Sequence, residues 1–204
     1  MTATGLRELV EPARTALLVI DVQNDYCRPD GALGKKGAET GAALAMLPRL
    51  ETFLDAARAR GVRPVFIRTV HEPETDSAVW TYRLGGAKAD LCRSGTWGAE
   101  FCGVAPLPGE PVVVKHRYSA FVNTRLESVL RTMEVRTVVA CGVATNVCVE
   151  STVRDAFMRD YHVVLVEDCC AAYSEAEHAM TVENVRGYFG RVARAADLLT
   201  AWND

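Results

Sequence analysis

The chain has 204 residues, a formal net charge of −3, and ordinary shares of hydrophobic (49%) and charged (24%) residues. This length suits one α/β domain with a full core and is short for two. A weak negative charge, without a basic stripe or an acidic tail, argues against nucleic acid and membrane surfaces as partners. No apolar stretch approaches a membrane span, and no signal peptide is visible. We therefore expect a cytoplasmic protein with a single domain over residues 1–204.

The first half of the chain contains two predicted strands with a helix between them. The strands are TALLVID (15–21) and RPVFIRT (63–69), which are almost continuously apolar, as in strands covered on both faces. The helix spans residues 40–61, is interrupted by Pro48, and ends at Gly61 as a C-terminal cap.

Residues 70–110 break this alternation, because they show no clear hydrophobic period. Long loops inside compact domains are usually functional lids or interface segments. In a doubly wound sheet, ligands bind beyond the C-terminal ends of the strands, which is where this loop begins. We therefore expect part of a ligand site within this loop.

The second half returns to strands and helices in alternation. The predicted strands are 111–115, 136–142, 162–168 and a weaker sixth, 191–196. The predicted helices are 123–135 with Asn123 as N-cap, 147–160, and 175–189 with Ser174 as N-cap. Strands that alternate with helices indicate βαβ units. The predicted fold is therefore α/β and doubly wound, with a mainly parallel six-stranded sheet and helices on both faces.

The seven cysteines are irregularly spaced and include no C-x-x-C pair; they are Cys27, Cys92, Cys102, Cys141, Cys148, Cys169 and Cys170. An odd, irregular set in a cytosolic chain argues against a disulfide framework. With only four scattered histidines, a structural zinc site has little support. Most of the cysteines are expected to be small buried hydrophobic residues.

Three polar residues stand at the C-terminal ends of predicted strands. Asp21 ends the first, Lys115 ends the third, and Cys148 follows the fourth at the opening of a helix. Each has an ordinary structural alternative. Asp21 could cap a helix, Lys115 could mark the exit of a strand into solvent, and Cys148 could simply pack in the core. The ends of parallel strands lie on one edge of the sheet, however, so the three side chains can converge on one crevice.

Such convergence would supply what a nucleophilic thiol needs. A helix N-terminus and the ammonium of Lys115 both favour the thiolate of Cys148. Asp21 can accept the thiol proton and later return it to a leaving amine. The N–H of Cys148 and a second N–H from the preceding turn could bind an oxyanion. These groups together indicate acyl transfer through a thioester.

Three segments of the chain are similar to motifs of one enzyme family. They read ALLVIDVQNDYC, VVKHRYSAFVNTRLESVLR and VVACGVATNVCVESTVRDAFMRDYHVVLVEDCCAA. Over nearly its whole length the chain resembles the isochorismatase-like cysteine hydrolases. The resemblance implies a Rossmann-like fold and a triad of Asp21, Lys115 and Cys148 that acts on C–N bonds. It also implies a non-proline cis peptide between Val143 and Ala144, with the N–H groups of Ala144 and Cys148 forming the oxyanion hole.

Within this family the motifs look closest to ureidoacrylate, biuret and triuret amidohydrolases. Isochorismatases generally lack the cysteine. Nicotinamidases carry an Asp-x-His…His metal site. The corresponding stretch here, IRTVHEPETDSAVW, has His71 but neither an aspartate two residues before it nor a second histidine. We therefore expect no metal and no other cofactor. The substrate-binding positions implied by the resemblance are Asn24, Tyr26, Thr69, His71 and Tyr118.

The resemblance implies a small ureido, carbamoyl or amide substrate, of the ureidoacrylate, biuret or N-carbamoyl type. It also implies a homo-oligomer, dimer or tetramer, whose interface could use aromatic residues of the 70–110 loop: Trp80, Tyr82, Trp97 and Phe101. Two alternatives stay open. The chain could be an isochorismatase- or nicotinamidase-type hydrolase of another small substrate. It could also be a non-catalytic α/β binding module in which Cys148 is a redox-sensitive thiol.

Overall fold

Six parallel strands form one sheet in the computed structural model of the protein, which describes residues 5–83 and 90–203. The order across the sheet is β3-β2-β1-β4-β5-β6. The strands are β1 (Thr15–Ile20), β2 (Arg63–Thr69), β3 (Val112–Lys115), β4 (Thr137–Val143), β5 (His162–Ala171) and β6 (Arg191–Ala193). The predicted six-stranded parallel sheet is thereby confirmed.

Helices connect the strands and cover the sheet. In the described part of the chain they are α1 (Leu6–Leu9), α2 (Asn24–Cys27), α3 (Ala32–Lys35), α4 (Gly41–Ala59), α5 (Ala78–Arg83), α6 (Leu126–Thr132), α7 (Glu150–Phe157), α8 (Glu175–Asn184) and α9 (Ala195–Ala201). Short 3-10 turns occur at Pro12–Arg14, Pro73–Thr75 and Trp97–Ala99, and π-helical turns at Thr145–Val149 and Val185–Phe189. None of the helices described is long and apolar enough to cross a membrane.

The apolar runs of the sequence account for the centre of the sheet. Every residue of β1 and of β4 is buried, because these strands are paired on both edges and covered on both faces. Such two-sided burial is typical of parallel strands, which βαβ connections cover with helices. The three polar residues of interest follow or end strands of this buried centre.

Two expectations about α4 had different outcomes. The expected cap is present: the chain leaves α4 through Gly61, whose φ of 77° is the left-handed conformation that favours glycine. The expected interruption at Pro48 was wrong, because α4 continues through this residue. Apolar side chains on both sides of the proline bury against the core and hold the helix together, among them Met46 and Leu50.

Two predicted helix starts differ from the structure, whereas a third is confirmed. Asn123 is not an N-cap: its φ is 54°, and α6 begins only at Leu126. The helix expected from residue 147 begins two residues earlier, as the π-helical turn that leads into α7. Ser174 caps α8 as predicted, since its hydroxyl accepts a hydrogen bond from the N–H of Glu177.

The loop over residues 70–110 contains more regular structure than expected, namely α5 and two 3-10 turns. Residues 84–89 of this loop lie outside the described residues. Two of its aromatic rings pack within the chain: Trp80 stacks on His71, and Phe101 meets Phe66 edge to face. Tyr82, by contrast, is 86% exposed. The subunit interface proposed for these residues stays a prediction.

Candidate active site

The C-terminal ends of four neighbouring strands bring the candidate residues together. Asp21 follows β1, Thr69 ends β2, Lys115 ends β3, and Cys148 lies in the turn after β4. All four side chains are buried. The convergence predicted from the ends of the strands is therefore present, because Lys115 contacts both Asp21 and Cys148.

Lys115 lies at the centre of this cluster. Its Nζ is 2.7 Å from Oδ2 of Asp21 and 3.4 Å from Sγ of Cys148. It also donates to Oγ1 of Thr69 at 2.8 Å and to the carbonyl of Arg117 at 2.9 Å. Thr69 in turn donates to Oδ1 of Asp21 at 3.1 Å. A buried ammonium is tolerated when it is paired and hydrogen-bonded in this way.

Gln23 fixes the position of Thr69, a role that the sequence did not indicate. Its side-chain amide donates to the carbonyls of Thr69 and Ala99, both at 2.8 Å, and accepts from the N–H of Thr69 at 2.8 Å. The side chain is fully buried. The only signal in the sequence was a polar amide three residues after the end of β1.

Asp25 is a second residue whose role was missed. Its carboxylate accepts from the N–H of Ala32 at 2.8 Å and from the N–H of Cys92 at 2.6 Å. A Cβ on Gly98 would lie 2.2 Å from this carboxylate, so the loop around Gly98 packs tightly against it. Asp25 therefore anchors the end of the 70–110 loop next to α2.

Burial sets the protonation states of the cluster. Burial lowers the pKa of Lys115, but the negative charge of Asp21, together with the hydrogen bonds to Asp21 and Cys148, outweighs it, so that this pKa is raised overall. Burial also raises the pKa of Cys148, with Asp21 acting in the same direction and Lys115 opposing it. Burial and Asp21 therefore favour the thiol form of Cys148 beside the ammonium of Lys115. The thiolate expected from the sequence stays a prediction, because burial of Cys148 and the ammonium of Lys115 act on this pKa in opposite directions.

The turn that carries Cys148 is tightly built. The peptide bond between Val143 and Ala144 is cis, at the position that the family resemblance implied. The N–H groups of Val147 and Val149 both donate to the carbonyl of Ala144, at 3.1 and 3.2 Å. The carbonyl of Cys148 accepts from the hydroxyl of Thr152 at 2.7 Å.

An aromatic layer covers the cluster on the side of the 70–110 loop. His71 stacks on Trp80 with 4.8 Å between ring centroids, and Trp80 meets Tyr118 edge to face at 5.6 Å. Between this layer and Lys115 lies a cavity of about 10 Å³. Its lining residues are Tyr26, Thr69, His71, Trp80, Lys115, His116, Arg117 and Tyr118.

Three ring nitrogens of this layer are buried without a hydrogen-bond partner in the described structure. They are Nδ1 and Nε2 of His71 and Nε1 of Trp80. Burial lowers the pKa of His71 to about 4, so the ring is neutral near pH 7 and offers one donor and one acceptor. Buried polar groups are nearly always satisfied, so these atoms require partners from a water molecule or a bound ligand in the cavity.

The predicted substrate-binding residues are only partly brought together. Tyr26, Thr69, His71 and Tyr118 line the cavity. Asn24 does not: its side-chain amide donates to the carbonyl of Trp97 at 2.8 Å. Trp80 and Arg117 line the cavity although the sequence did not single them out for this role. Among residues 5–83 and 90–203, no group of three or more His, Cys, Asp or Glu residues could hold a metal ion.

The chain is similar to known proteins over most of its length. The model of the isochorismatase domain matches residues 15–197. A protein of Methylobacterium radiotolerans named ureidoacrylate amidohydrolase RutB is 36% identical, over 92% of this chain and 79% of its own. The protein of the same name from Azorhizobium caulinodans is 34% identical, over 92% of this chain and 90% of its own.

Solved structures show the same architecture. A cysteine hydrolase from Pseudomonas syringae pv. phaseolicola superposes with a TM-score of 0.88 at 28% identity, over 99% of this chain and 98% of its own. N-carbamoylsarcosine amidase from Thermoplasma acidophilum gives 0.74 at 28% identity, over 89% of this chain and 96% of its own. The chain belongs to the isochorismatase family.

Proposed function

We propose that this protein is a cysteine amidohydrolase that cleaves a C–N bond of a small ureido substrate through a thioester. The observation that carries the proposal is the buried cluster in which Nζ of Lys115 contacts both Asp21 and the sulfur of Cys148, at 2.7 and 3.4 Å. The names of the relatives, which act on ureidoacrylate, support the ureido class.

The first half of the reaction forms the thioester. Because Cys148 starts as a thiol, its proton passes to Asp21 as the sulfur attacks the substrate carbonyl carbon. Lys115 stabilises the negative charge that develops on the sulfur during this transfer. The carbonyl oxygen becomes an oxyanion, which the N–H groups of Ala144 and Cys148 bind. Asp21 then gives its proton to the leaving nitrogen, the C–N bond breaks, and an amine or ammonia departs.

The second half restores the enzyme. Asp21, again a carboxylate, takes a proton from a water molecule, and the resulting hydroxide attacks the thioester carbonyl. The C–S bond breaks, the sulfur recovers the proton from Asp21, and the acid product leaves. Throughout the cycle Lys115 remains an ammonium, in keeping with its raised pKa. Its hydrogen bond to Thr69 holds it beside Asp21.

The groups around the cavity favour a planar substrate that carries a carboxylate. Trp80 and neutral His71 together offer two N–H donors and one acceptor, which match acceptor oxygens and one N–H of a substrate. Arg117 adds a positive charge at the cavity, and within the described residues it forms no ion pair with an acidic side chain. We therefore expect a ureido acid of the ureidoacrylate type to be a better substrate than biuret, which is uncharged.

The remaining contacts of the proposal follow the lining of the cavity. Thr69, His71 and Tyr118 are assigned to the substrate, and Tyr26 closes the cavity beside Lys115. Asn24 supports the site indirectly by holding the Trp97 carbonyl. The cytoplasmic location and the homo-oligomeric state stay predictions.

A substrate panel tests the proposal. The purified enzyme is assayed for release of ammonia or amine from ureidoacrylate, biuret, an N-carbamoyl amino acid, maleamate, nicotinamide and isochorismate. We expect turnover of the ureido compounds, with a higher kcat/KM for ureidoacrylate than for biuret. Turnover of isochorismate alone, or of no compound, would contradict the proposal.

The variant Cys148→Ala tests the nucleophile. We expect loss of turnover by at least about a thousandfold with an unchanged circular dichroism spectrum, because only the sulfur is removed. Cys141→Ala is the matched control, since Cys141 is equally buried but lies within β4, away from the cluster. Mass spectrometry of the quenched wild-type enzyme should show the acyl group on Cys148. Substantial hydrolysis by Cys148→Ala would rule out the thioester route.

A further inference from the structure

The turn that carries the nucleophile is tied to α8 on both sides of Cys148. Before it, Oγ1 of Thr145 is hydrogen-bonded to Nδ1 of His178 at 3.0 Å. After it, the hydroxyl of Thr181 donates to the carboxylate of Glu150 at 2.6 Å. Both partners on α8 therefore reach across to a segment that is more than thirty positions earlier in the chain.

The bond between Thr145 and His178 is the one next to the proposed oxyanion site. Thr145 directly follows Ala144, and its side chain is fully buried. Threonine in a helical turn commonly bonds its hydroxyl to a carbonyl of the preceding turn. Here the hydroxyl is paired with a histidine of another helix instead. The pair therefore fixes where the residue after Ala144 lies relative to α8.

His178 is suited to a fixed, uncharged role. Burial lowers its pKa, with Glu167 acting in the opposite direction. The ring is therefore predominantly neutral near pH 7, and a neutral imidazole forms one directed hydrogen bond at Nδ1. The ring also lines a cavity of about 560 Å³, together with Tyr173, Glu39 and Glu175. It thus forms a wall between this cavity and the turn.

We propose that His178 is a positioning residue of this enzyme, which holds the Ala144–Cys148 turn through Thr145 so that its N–H groups meet the oxyanion. The inference rests on the proposed function of that turn. Oxyanion stabilisation depends on donors that are already in place before charge develops, and a displacement of about 1 Å can cost about a hundredfold in rate. His178 touches neither the substrate nor the sulfur in this assignment.

Two variants remove the bond from opposite ends. His178→Ala removes the ring, and Thr145→Val removes only the hydroxyl while keeping the shape of the side chain. We expect each to lower kcat by about 10- to 100-fold with KM changed less than about twofold, because binding precedes the development of charge. The double variant should be no slower than the slower single variant, since both changes break one bond.

Conservative variants separate positioning from simple packing. His178→Asn places a side-chain amide atom near the position of Nδ1, and Thr145→Ser keeps the hydroxyl. We expect both to recover most of the lost kcat. Met180→Ala is the control on the same helix, since Met180 is 64% exposed, and it should behave like the wild type. Thermal unfolding of every variant shows which of them is folded. If His178→Ala does not fold, Thr145→Val alone tests the loss of the hydrogen bond.

Three results would contradict the positioning role of His178. Wild-type kcat in folded Thr145→Val, parallel changes in kcat and KM, or additive effects in the double variant would overturn the role of His178. Failure of the proposed function itself looks different: the wild-type enzyme would then turn over none of the ureido compounds, or Cys148→Ala would remain active.

Discussion

The burial of the His71 side chain determines its protonation state. Only 1% of it is exposed, yet neither ring nitrogen has a hydrogen-bond partner in the described structure. Its backbone is paired on both sides, through its N–H to the carbonyl of Cys92 and through its carbonyl to the N–H of Ser94. The ring is thus held in a buried position that disfavours its protonated form.

The free energy of unfolding should therefore fall as the pH is lowered from the ordinary pKa of a histidine toward the lowered pKa of His71. Its pKa is about 4 in the folded protein against an ordinary value of 6.5, so between these pH values the unfolded chain binds a proton that the folded protein excludes. Stability from neutral His71 is fully present above pH 6.5 and is lost toward pH 4. At pH 5 we expect a loss of about 1–2 kcal/mol relative to pH 7.

Denaturant titrations at pH 7 and pH 5 measure this loss. His71→Phe keeps the stacking on Trp80 but cannot take up a proton, so its free energy of unfolding should depend less on pH. His162→Gln is the control, because His162 is exposed at the start of β5. An equal pH dependence in the wild type and His71→Phe would refute the assignment.

The individual residues of the site were predictable to different degrees. Asp21, Lys115 and Cys148 could be found from sequence because each follows an apolar run, and parallel strands place such residues on one edge. Gln23 and Asp25 could not, because their roles lie in hydrogen bonds to backbone groups of the distant 70–110 loop. The thiol state of Cys148 depends on burial, which a local pattern does not give.

At the scale of elements, the end of β4 is tightly constrained by its neighbours in the sheet. The pairing of β4 with β5 shifts register between Ala140 and Gly142. Gly142 has a φ of 124°, and a Cβ there would lie 2.0 Å from the carbonyl oxygen of Ile20. Only glycine fits this close approach to β1, and the cysteine turn begins directly after it.

Gly142→Ala should consequently be severely destabilising. We expect a loss of roughly 3 kcal/mol or more in the free energy of unfolding, because both the backbone of β1 and an unfavourable φ oppose the added methyl group. Chemical denaturation gives the value, and the yield of soluble protein gives a second indication. Gly187→Ala is the matched control, since nothing lies within 4 Å of a Cβ there. Similar stability of the two variants would show that β1 can move aside.

The sequence predicted strands better than helix boundaries, for a physical reason. Strands such as β1 are buried on both faces, so their apolar runs are continuous and visible. The start of α6 instead depends on the backbone of Asn123, whose positive φ leaves no periodic signature. The π-helical turn at Cys148 likewise arises from contacts with the rest of the fold, which include the bond to α8.

At the scale of the whole molecule, access to the cluster depends on α5. The cavity of about 10 Å³ has room for one water molecule and not for a ureido acid. Trp80 closes it, whereas its neighbours on α5 face solvent: Val79 is 78% exposed and Tyr82 is 86% exposed. Trp80 is therefore the residue of α5 that lines the cavity, through its contacts with His71 and Tyr118.

Removal of this ring should expose the thiol. In Trp80→Ala we expect alkylation of Cys148 by iodoacetamide to become roughly tenfold faster, because two aromatic contacts of about 0.5–1.5 kcal/mol each are lost. The reaction is measured at alkaline pH by peptide mass spectrometry, since the pKa of Cys148 is raised. Tyr82→Ala, on the same helix, is the control and should leave the rate unchanged. Equal rates in all three proteins would show that Trp80 does not limit access.

The strand order also determines at which point of synthesis the candidate active site can assemble. Asp21 follows the first strand of the chain, but β1 obtains its second neighbour only when Thr15 pairs with Thr137 at the start of β4. Pairings between such distant segments form late in folding, because a long loop has to close first. A nascent chain that ends at β3 thus holds the acid and the ammonium without the thiol. With Cys148 as the proposed nucleophile, we expect no activity from such a chain until β4 and the following turn have been synthesised and have paired with β1.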